Sequence, residues 1–443
     1  MPTKFSRYSP KLNYSINFNS DSFNMLESIN KETISRYLYE GSYARPGTNH
    51  FLRDYSYPKV KKFSINRDKI TSISDIENRI RANIKNILAK NKYISLLLTS
   101  GFDSYLLYLL LKLETKNFST HHDISFITGR FDNPYDEFSI LNKKRPNIVL
   151  DNLCSSISGP DEALKLLKSA VLACNQPVNG LVASAVYKAI KIANKKQSVP
   201  LLGTGETIFF TSTYDFIQKV NSSLTRNYSA DKTIQLPGNY LTEKGMNYAK
   251  YGISDNKNNE HIVFEHQNKL EEFIHNQQFW IDAPRVDFEV SSYCNIFGIS
   301  AYTPLRDPKL LELFLNLPKE EQHDGRPKTV IRNLISLIEG RDDYTDGLKM
   351  TSPQREYLRF KYKDGGFAEL VEYFIENSLL AELGIIDQIK IEHNYYEYVK
   401  NFDECFNQEN FKTLSSYNIW KFFITEFWLN LKIGNNIDIK RFT

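Results

Sequence analysis

The 443-residue chain has only four cysteines, Cys154, Cys174, Cys294 and Cys405, and no two are close enough to form a CxxC pair. Wide spacing of this kind argues against a disulfide framework or a zinc ribbon, and it suits a reducing compartment. No charge sign dominates: 56 Lys plus Arg stand against 52 Asp plus Glu, for a formal net charge of +4. Over this length such a balance does not supply the concentrated basic face of a dedicated nucleic-acid protein. Long apolar runs are also missing. The most apolar stretch, 93–113, is interrupted by Thr99-Ser100-Gly101-Phe102-Asp103-Ser104, and an aspartate at its centre is expensive in lipid. Met1-Pro2-Thr3-Lys4-Phe5 leads into no apolar segment, so neither a signal peptide nor a membrane span is expected. Internal repeats and low-complexity tracts are absent as well. Apolar residues nevertheless make up 41% of the chain, with 27 Tyr and 29 Phe, which excludes general disorder and allows two or three packed domains.

Residues 1–72 are polar and aromatic, with turn signals at Pro46-Gly47 and Tyr57-Pro58 and one short candidate strand at 60–65. At Ser74-Asp75-Ile76-Glu77 the spacing fits a capping box. Ile76, Ile80, Ile84 and Ile87 then recur at helical period towards Lys92. Strands are expected at 93–98, 123–128, 147–150 and 199–202. They alternate with helices at 105–113, after Asn133-Pro134, at 160–173 and at 180–194. Such alternation predicts βαβ units and a parallel sheet. Beyond it the sequence reads as mainly helical, with helices at 308–317, 327–338, 367–380 and 415–431. The polar stretch 221–265 reads as a surface insertion; together with 341–360 it is expected to close over a bound intermediate. The domain division expected is therefore 1–72, 73–220 and 221–443.

The segment richest in chemistry is Thr99-Ser100-Gly101-Phe102-Asp103-Ser104, between a buried strand and a helix. Ligands bind at the carboxyl ends of strands in open α/β sheets. Small residues there let backbone N–H groups approach a phosphate beside the positive end of a helix. Hydroxyls of Thr99, Ser100 and Ser104 would add donors, and Asp103 could hold a metal ion that bridges phosphates. An ordinary strand–helix turn, with Asp103 or Ser104 as N-cap, accounts for the same residues. No Lys follows the glycine and no GxGxxG spacing is present, so neither a Walker loop nor a dinucleotide fingerprint applies.

This turn resembles the SGGxDS pyrophosphate loop of the ATP pyrophosphatase superfamily, with Thr99 and Ser100 in place of its first Ser and Gly. Six further segments resemble, in order, those of the asparagine synthetase family. They are Ile127 to Ile140 with Tyr135-Asp136-Glu137; Cys174-Asn175-Gln176-Pro177; Leu201-Leu202-Gly203-Thr204-Gly205-Glu206, similar to an LSGEGADE loop; Gly298 to Asp307, similar to GLEARVPFLD; Asp324 to Arg332, similar to GxxKxxLR; and Gly347-Leu348-Lys349-Met350, similar to a late KKMGFS loop. The resemblance implies an α/β fold: a parallel-sheet, Rossmann-like ATP pyrophosphatase core, a mainly helical C-terminal half and a small N-terminal remnant. It implies an ATP- and Mg²⁺-dependent, AMP-forming ligase that adenylates a carboxylate and passes the acyl group to an amine. On this resemblance Thr99, Ser100, Gly101, Asp103, Ser104, Gly203 and Gly205 would cradle the nucleotide, and Asp103 and Glu206 would hold the metal. Lys328, Lys349 and Thr204 would stand at the catalytic positions. Lys328 and Lys349 also read as solvated lysines at a helix start and in a surface loop.

Thr204 stands where the family has a glutamate, and a threonine is a poor base near neutral pH. Pro2 stands where the glutamine-hydrolysing members have a cysteine, so ammonia from glutamine in cis is not expected. The resemblance then points to members without glutaminase chemistry, such as the β-lactam synthetases and the macrolactam synthetases of lasso peptides. Their substrates would be a small-molecule or peptide carboxylate and an amine, with a precursor peptide and a companion processing protein as partners, in the cytoplasm. Two other readings compete: a non-catalytic or partner-dependent ATP-binding protein, and a tRNA-modifying ATP pyrophosphatase, which lacks support from a CxxC relay or a basic aromatic appendage. Asp307 before Pro308 is explained by helix capping alone. His121-His122 and the basic run Lys191, Lys195, Lys196 read as solvated.

Overall fold

The computed structural model describes residues 29–40, 70–116, 121–131, 137–145, 148, 155–157, 159–178, 182–203, 240–254, 283–322, 328–340, 366–400 and 414–433. In chain order the elements are α1 (Lys31–Glu40), α2 (Ile73–Leu88), β1 (Tyr93–Leu97), α3 (Phe102–Lys116), β2 (Asp123–Ile127), β3 (Gly129–Phe131), α4 (Glu137–Lys144), β4 (Ser155–Ile157), α5 (Gly159–Cys174), α6 (Val182–Lys195) and β5 (Val199–Leu201). Helices follow: α7 (Glu243–Ser254), α8 (Ala283–Ile296), α9 (Pro308–Leu315), α10 (Lys319–Gln322), α11 (Thr329–Glu339), α12 (Gly366–Glu376), α13 (Leu379–Glu382), α14 (Gln388–Lys400) and α15 (Leu414–Lys432).

Among the described residues the chain is mostly helical around a small parallel sheet in the order β2-β1-β5. Leu96 of β1 stands between Phe126 and Leu201. Tyr302 extends the sheet past β5, its N–H donating to Pro200 and its carbonyl accepting from Leu202, each at 2.9 Å. Strand alternation divides β1 between two cores. Ile94, Leu96 and Leu98 enter a core built with α2, α3, α9 and α11, whereas Leu97 packs against the core of α5, α6 and the C-terminal helices. Covered on both faces, the strand is apolar except at buried Ser95, whose hydroxyl meets Ser125 at 2.7 Å and Ser198 at 2.5 Å.

The expected helix at Ile76 forms, and Ile76, Ile80, Ile84 and Ile87 are all buried; each such side chain contributes about 1.5–3 kcal/mol. Its capping box, however, is Ser72 with Asp75, not Ser74 with Glu77. The Asp75 carboxylate accepts the Ser72 N–H at 2.9 Å, while Glu77 is drawn to Arg81 at 2.9 Å one turn on. Of the strand expected at 147–150, only Ile148 is described; it is buried and lies in no strand. A parallel β3–β4 pair, unmarked by any periodicity in the sequence, forms a second sheet. The candidate strand at 60–65 lies outside the described residues.

The helix expected over 367–380 is two helices. Ser378 caps α13, accepting the Ala381 N–H at 3.1 Å. Residues 221–265 do not form a free surface insertion throughout: Tyr240 and Leu241 are buried, and α7 lies against α1. A Cβ on Gly245 would sit 2.2 Å from the Ile385 carbonyl oxygen, so α7 approaches that backbone at glycine distance. Helix α1 is held in the second core by Ile34, Tyr37 and Leu38. Buried Lys421 of α15 donates to the Leu38 carbonyl at 2.6 Å, and Tyr240 donates to it at 3.0 Å. Both cores combine residues from before 220 and after it.

Candidate active site

The β1–α3 turn is folded by its own hydroxyls. The Ser104 hydroxyl accepts the Thr99 N–H at 3.0 Å, lies 3.0 Å from the Thr99 hydroxyl, and reaches the Thr99 carbonyl at 3.1 Å. Gly101 donates its N–H to Thr99 Oγ1 at 3.2 Å, and the Gly101 carbonyl accepts the N–H of Tyr105. Helix α3 therefore begins at Phe102, which places Asp103 and Ser104 inside its first turn; neither is its N-cap. The carboxyl end of β5 arrives alongside. A Cβ on Gly203 would meet Ser104 N at 3.0 Å and the Asp103 carbonyl carbon at 3.3 Å. The absence of a side chain lets this second loop come so near the helix N-terminus, where a methyl would force a neighbour to give by a few tenths of an ångström.

Asp103 is buried, and its Oδ2 forms an ion pair with Lys328 Nζ. Its Oδ1 is buried and has no hydrogen-bond partner. Burial pushes the Asp103 carboxyl above its usual range, and the Lys328 charge works against that rise. A desolvated carboxylate oxygen left without a donor is costly in a resting protein. It suits a site that receives a cation, because magnesium is commonly held by one or two carboxylates together with substrate phosphates. Asp103 thus fits the metal role. Glu206 lies outside the described residues, and among those described no group of three His, Cys, Asp or Glu is placed to hold a metal.

Lys328 immediately precedes α11 with φ 60° and ψ 37°, a left-handed conformation that costs a non-glycine residue about 1 kcal/mol. Strain of this kind persists where the surroundings over-determine it. Here the side chain is held at Asp103, 225 positions away in sequence.

The structure therefore brings together Thr99, Ser100, Gly101, Asp103, Ser104, Gly203 and Lys328. Lys349, Thr204, Gly205 and Glu206 lie outside the described residues, as do Tyr135 and Asp136. Gln176 is fully buried beside Asn175, which takes φ 55°. Asp307 is structural, as its capping pattern implies. Its Oδ1 accepts the Lys309 N–H at 2.9 Å, while Oδ2 receives Arg79 at 2.5 Å and Asn83 at 3.0 Å. His121 and Lys191 are exposed.

Sequence reasoning missed one contact beside the site. The Tyr105 hydroxyl donates to Glu339 at the far end of α11, and the Arg145 guanidinium lies 4.4 Å from the centre of the Tyr105 ring. No sequence signal marks this trio, because its members lie far apart along the chain. Residues 75–430 match the asparagine synthase family. No curated protein matches the chain.

Proposed function

Since the chain belongs to the asparagine synthase family, whose activity is ATP-dependent amide-bond formation, we propose that it activates a carboxylate as its adenylate and transfers the acyl group to an amine that does not come from glutamine in cis. In the first step a carboxylate oxygen attacks the α-phosphorus of ATP and the bond to pyrophosphate breaks. In the second the amine attacks the acyl carbon, AMP departs, and the nitrogen loses a proton.

The observation that carries this reading is the Asp103–Lys328 pair at the carboxyl edge of the sheet, with Asp103 Oδ1 left open. Two anionic reactants must meet there, so the site has to offset charge as pyrophosphate separates. Lys328 supplies one positive charge that is already oriented. The Thr99–Ser104 turn and the Gly203 approach hold two backbone segments at the first turn of α3, the end of a helix whose partial positive charge favours phosphate. Magnesium, held by Asp103, would neutralise phosphate charge and favour departure of pyrophosphate. The resemblance to the family would add Lys349, Gly205, Glu206 and Thr204 to this site. With Thr204 in place of a glutamate, the amine's proton has to leave by another group.

The finer proposal is ring closure: an amine within a peptide or small-molecule substrate attacks the activated carboxylate, in the biosynthesis of a peptide natural product in the cytoplasm. A precursor peptide and a companion processing protein would be the partners.

The test is ATP–pyrophosphate exchange against a panel of carboxylates that includes Asp- and Glu-bearing peptides, with Asp103→Ala as control. Exchange that depends on one acid and vanishes in Asp103→Ala supports adenylation and names the acyl donor. Absence of exchange with every acid, alone and with the companion protein, would sink the proposal in favour of ATP binding without catalysis.

A further inference from the structure

Helix α11 touches the first turn of α3 at both of its ends. At its start Lys328 pairs with Asp103; at its finish Glu339 accepts the Tyr105 hydroxyl. Asp103 and Tyr105 are two positions apart, about 200° around a helix, so the two ties grip opposite sides of one turn. Between its tied ends α11 is a bar of about 16 Å. Its length is fixed by left-handed residues at either limit, Lys328 at φ 60° and Gly340 at φ 64°. Val330, Ile331, Leu334 and Ile335 bury its inner face in the core shared with α3. Such a bar can still slide or rotate by fractions of an ångström about an apolar contact, since burial is not directional. The Tyr105–Glu339 hydrogen bond is directional. The Tyr105 ring in turn meets Arg145 at 4.4 Å and stacks with Tyr108 at 5.8 Å.

We propose that Tyr105 and Glu339, with Arg145 over the ring, form a positioning brace that fixes the register of α11 against α3 and thereby seats Lys328 on Asp103. Tyr105 is a positioning residue in this account, since it acts on the site through α11. The consequence for turnover rests on the adenylation reading above; the seating of Lys328 does not.

Two readouts separate those layers. The first is the acetylation rate of Lys328 by acetic anhydride, followed by mass spectrometry with exposed Lys390 as internal reference. Tyr105→Phe removes one oxygen and keeps the ring, and Glu339→Ala removes the acceptor. Each should raise Lys328 labelling about fivefold, the scale expected for loss of one hydrogen bond. Glu339→Gln keeps an acceptor and should stay within about twofold of the parent. The second readout is ATP–pyrophosphate exchange. There Tyr105→Phe should lower kcat about tenfold while KM for ATP moves less than about twofold, as expected when a group is misplaced only towards the transition state. Unchanged Lys328 labelling in both Tyr105→Phe and Glu339→Ala overturns the brace, whatever the exchange assay gives. Raised labelling in a protein whose parent shows no exchange upholds the brace and removes the adenylation reading.

Discussion

Lys328 joins backbone strain to charge pairing in one residue. Its left-handed backbone favours glycine, while the buried Asp103 it faces requires a cation. Stability and chemistry should therefore separate on substitution. Lys328→Gly is expected to be about 1 kcal/mol more stable than Lys328→Ala in urea denaturation, because alanine keeps the αL penalty. Both should lose exchange activity. Equal stabilities would show that the left-handed conformation relaxes once the ion pair is gone. Gly203 has a narrower role. Gly203→Ala places a methyl 3.0 Å from the Ser104 nitrogen. Forcing the two backbones apart should cost about 1–3 kcal/mol and weaken nucleotide binding in calorimetry; full retention of both would refute the close approach. The β1–α3 turn was legible in sequence because its glycine, hydroxyls and aspartate lie within six consecutive residues. Its partner lysine was legible only through resemblance to a family, since no local pattern encodes a contact across 225 positions.

At the scale of single elements, the sequence shows helices whose apolar stripe is regular and misplaces their ends. Ile76, Ile80, Ile84 and Ile87 announce α2, but two overlapping cap spacings lie at its start. The choice went to Ser72 because Asp75 reaches its N–H while Glu77 is engaged by Arg81. Helix α13, four residues long, has no period to read. Its start is held from outside: buried Glu426 of α15 accepts the N–H groups of Leu379 at 3.2 Å and Leu380 at 2.9 Å, and the Ser378 hydroxyl at 2.5 Å. Burial pushes the Glu426 carboxyl from 4.5 up to about 7, against those hydrogen bonds. A carboxyl raised in the folded state favours folding when protonated. Its contribution is present below about pH 4.5 and fades as pH climbs through 7. Between pH 5 and 8 the parent should lose about 2–3 kcal/mol that Glu426→Gln does not lose. Urea denaturation of both proteins at the two pH values measures it, and parallel profiles would refute the raised carboxyl.

For the whole molecule, the second core joins the far ends of the described chain. Ile34, Tyr37 and Leu38 of α1 pack among Trp420, Phe423 and Trp428 of α15, and the Leu38 carbonyl is an acceptor for the buried Lys421 ammonium. A small N-terminal remnant docked on the core was expected, but not these contacts, because residues 1–72 carry no regular apolar period and the contact has a separation of 383 positions. Removing residues 1–41 deletes, among the described residues, four buried apolar side chains, Ile29 included, worth on the order of 6–12 kcal/mol together. That rivals the stability of an ordinary domain. The shortened protein should show lost near-ultraviolet circular dichroism and self-association in gel filtration. A monomer with a sharp unfolding transition within a few degrees of the parent would show α1 to be dispensable.

The bond from Lys421 to Leu38 also sets a clock for synthesis. A ribosome adding about 5–20 residues per second needs roughly 20–80 s to travel from α1 to α15. Through that interval the apolar face of α1 has no α15 to cover it, and the second core cannot close until α15 emerges. The nascent chain must therefore be kept from sticking to its neighbours for most of its own translation, so its yield in a cell should depend on chaperone supply more than the stability of the finished fold would suggest.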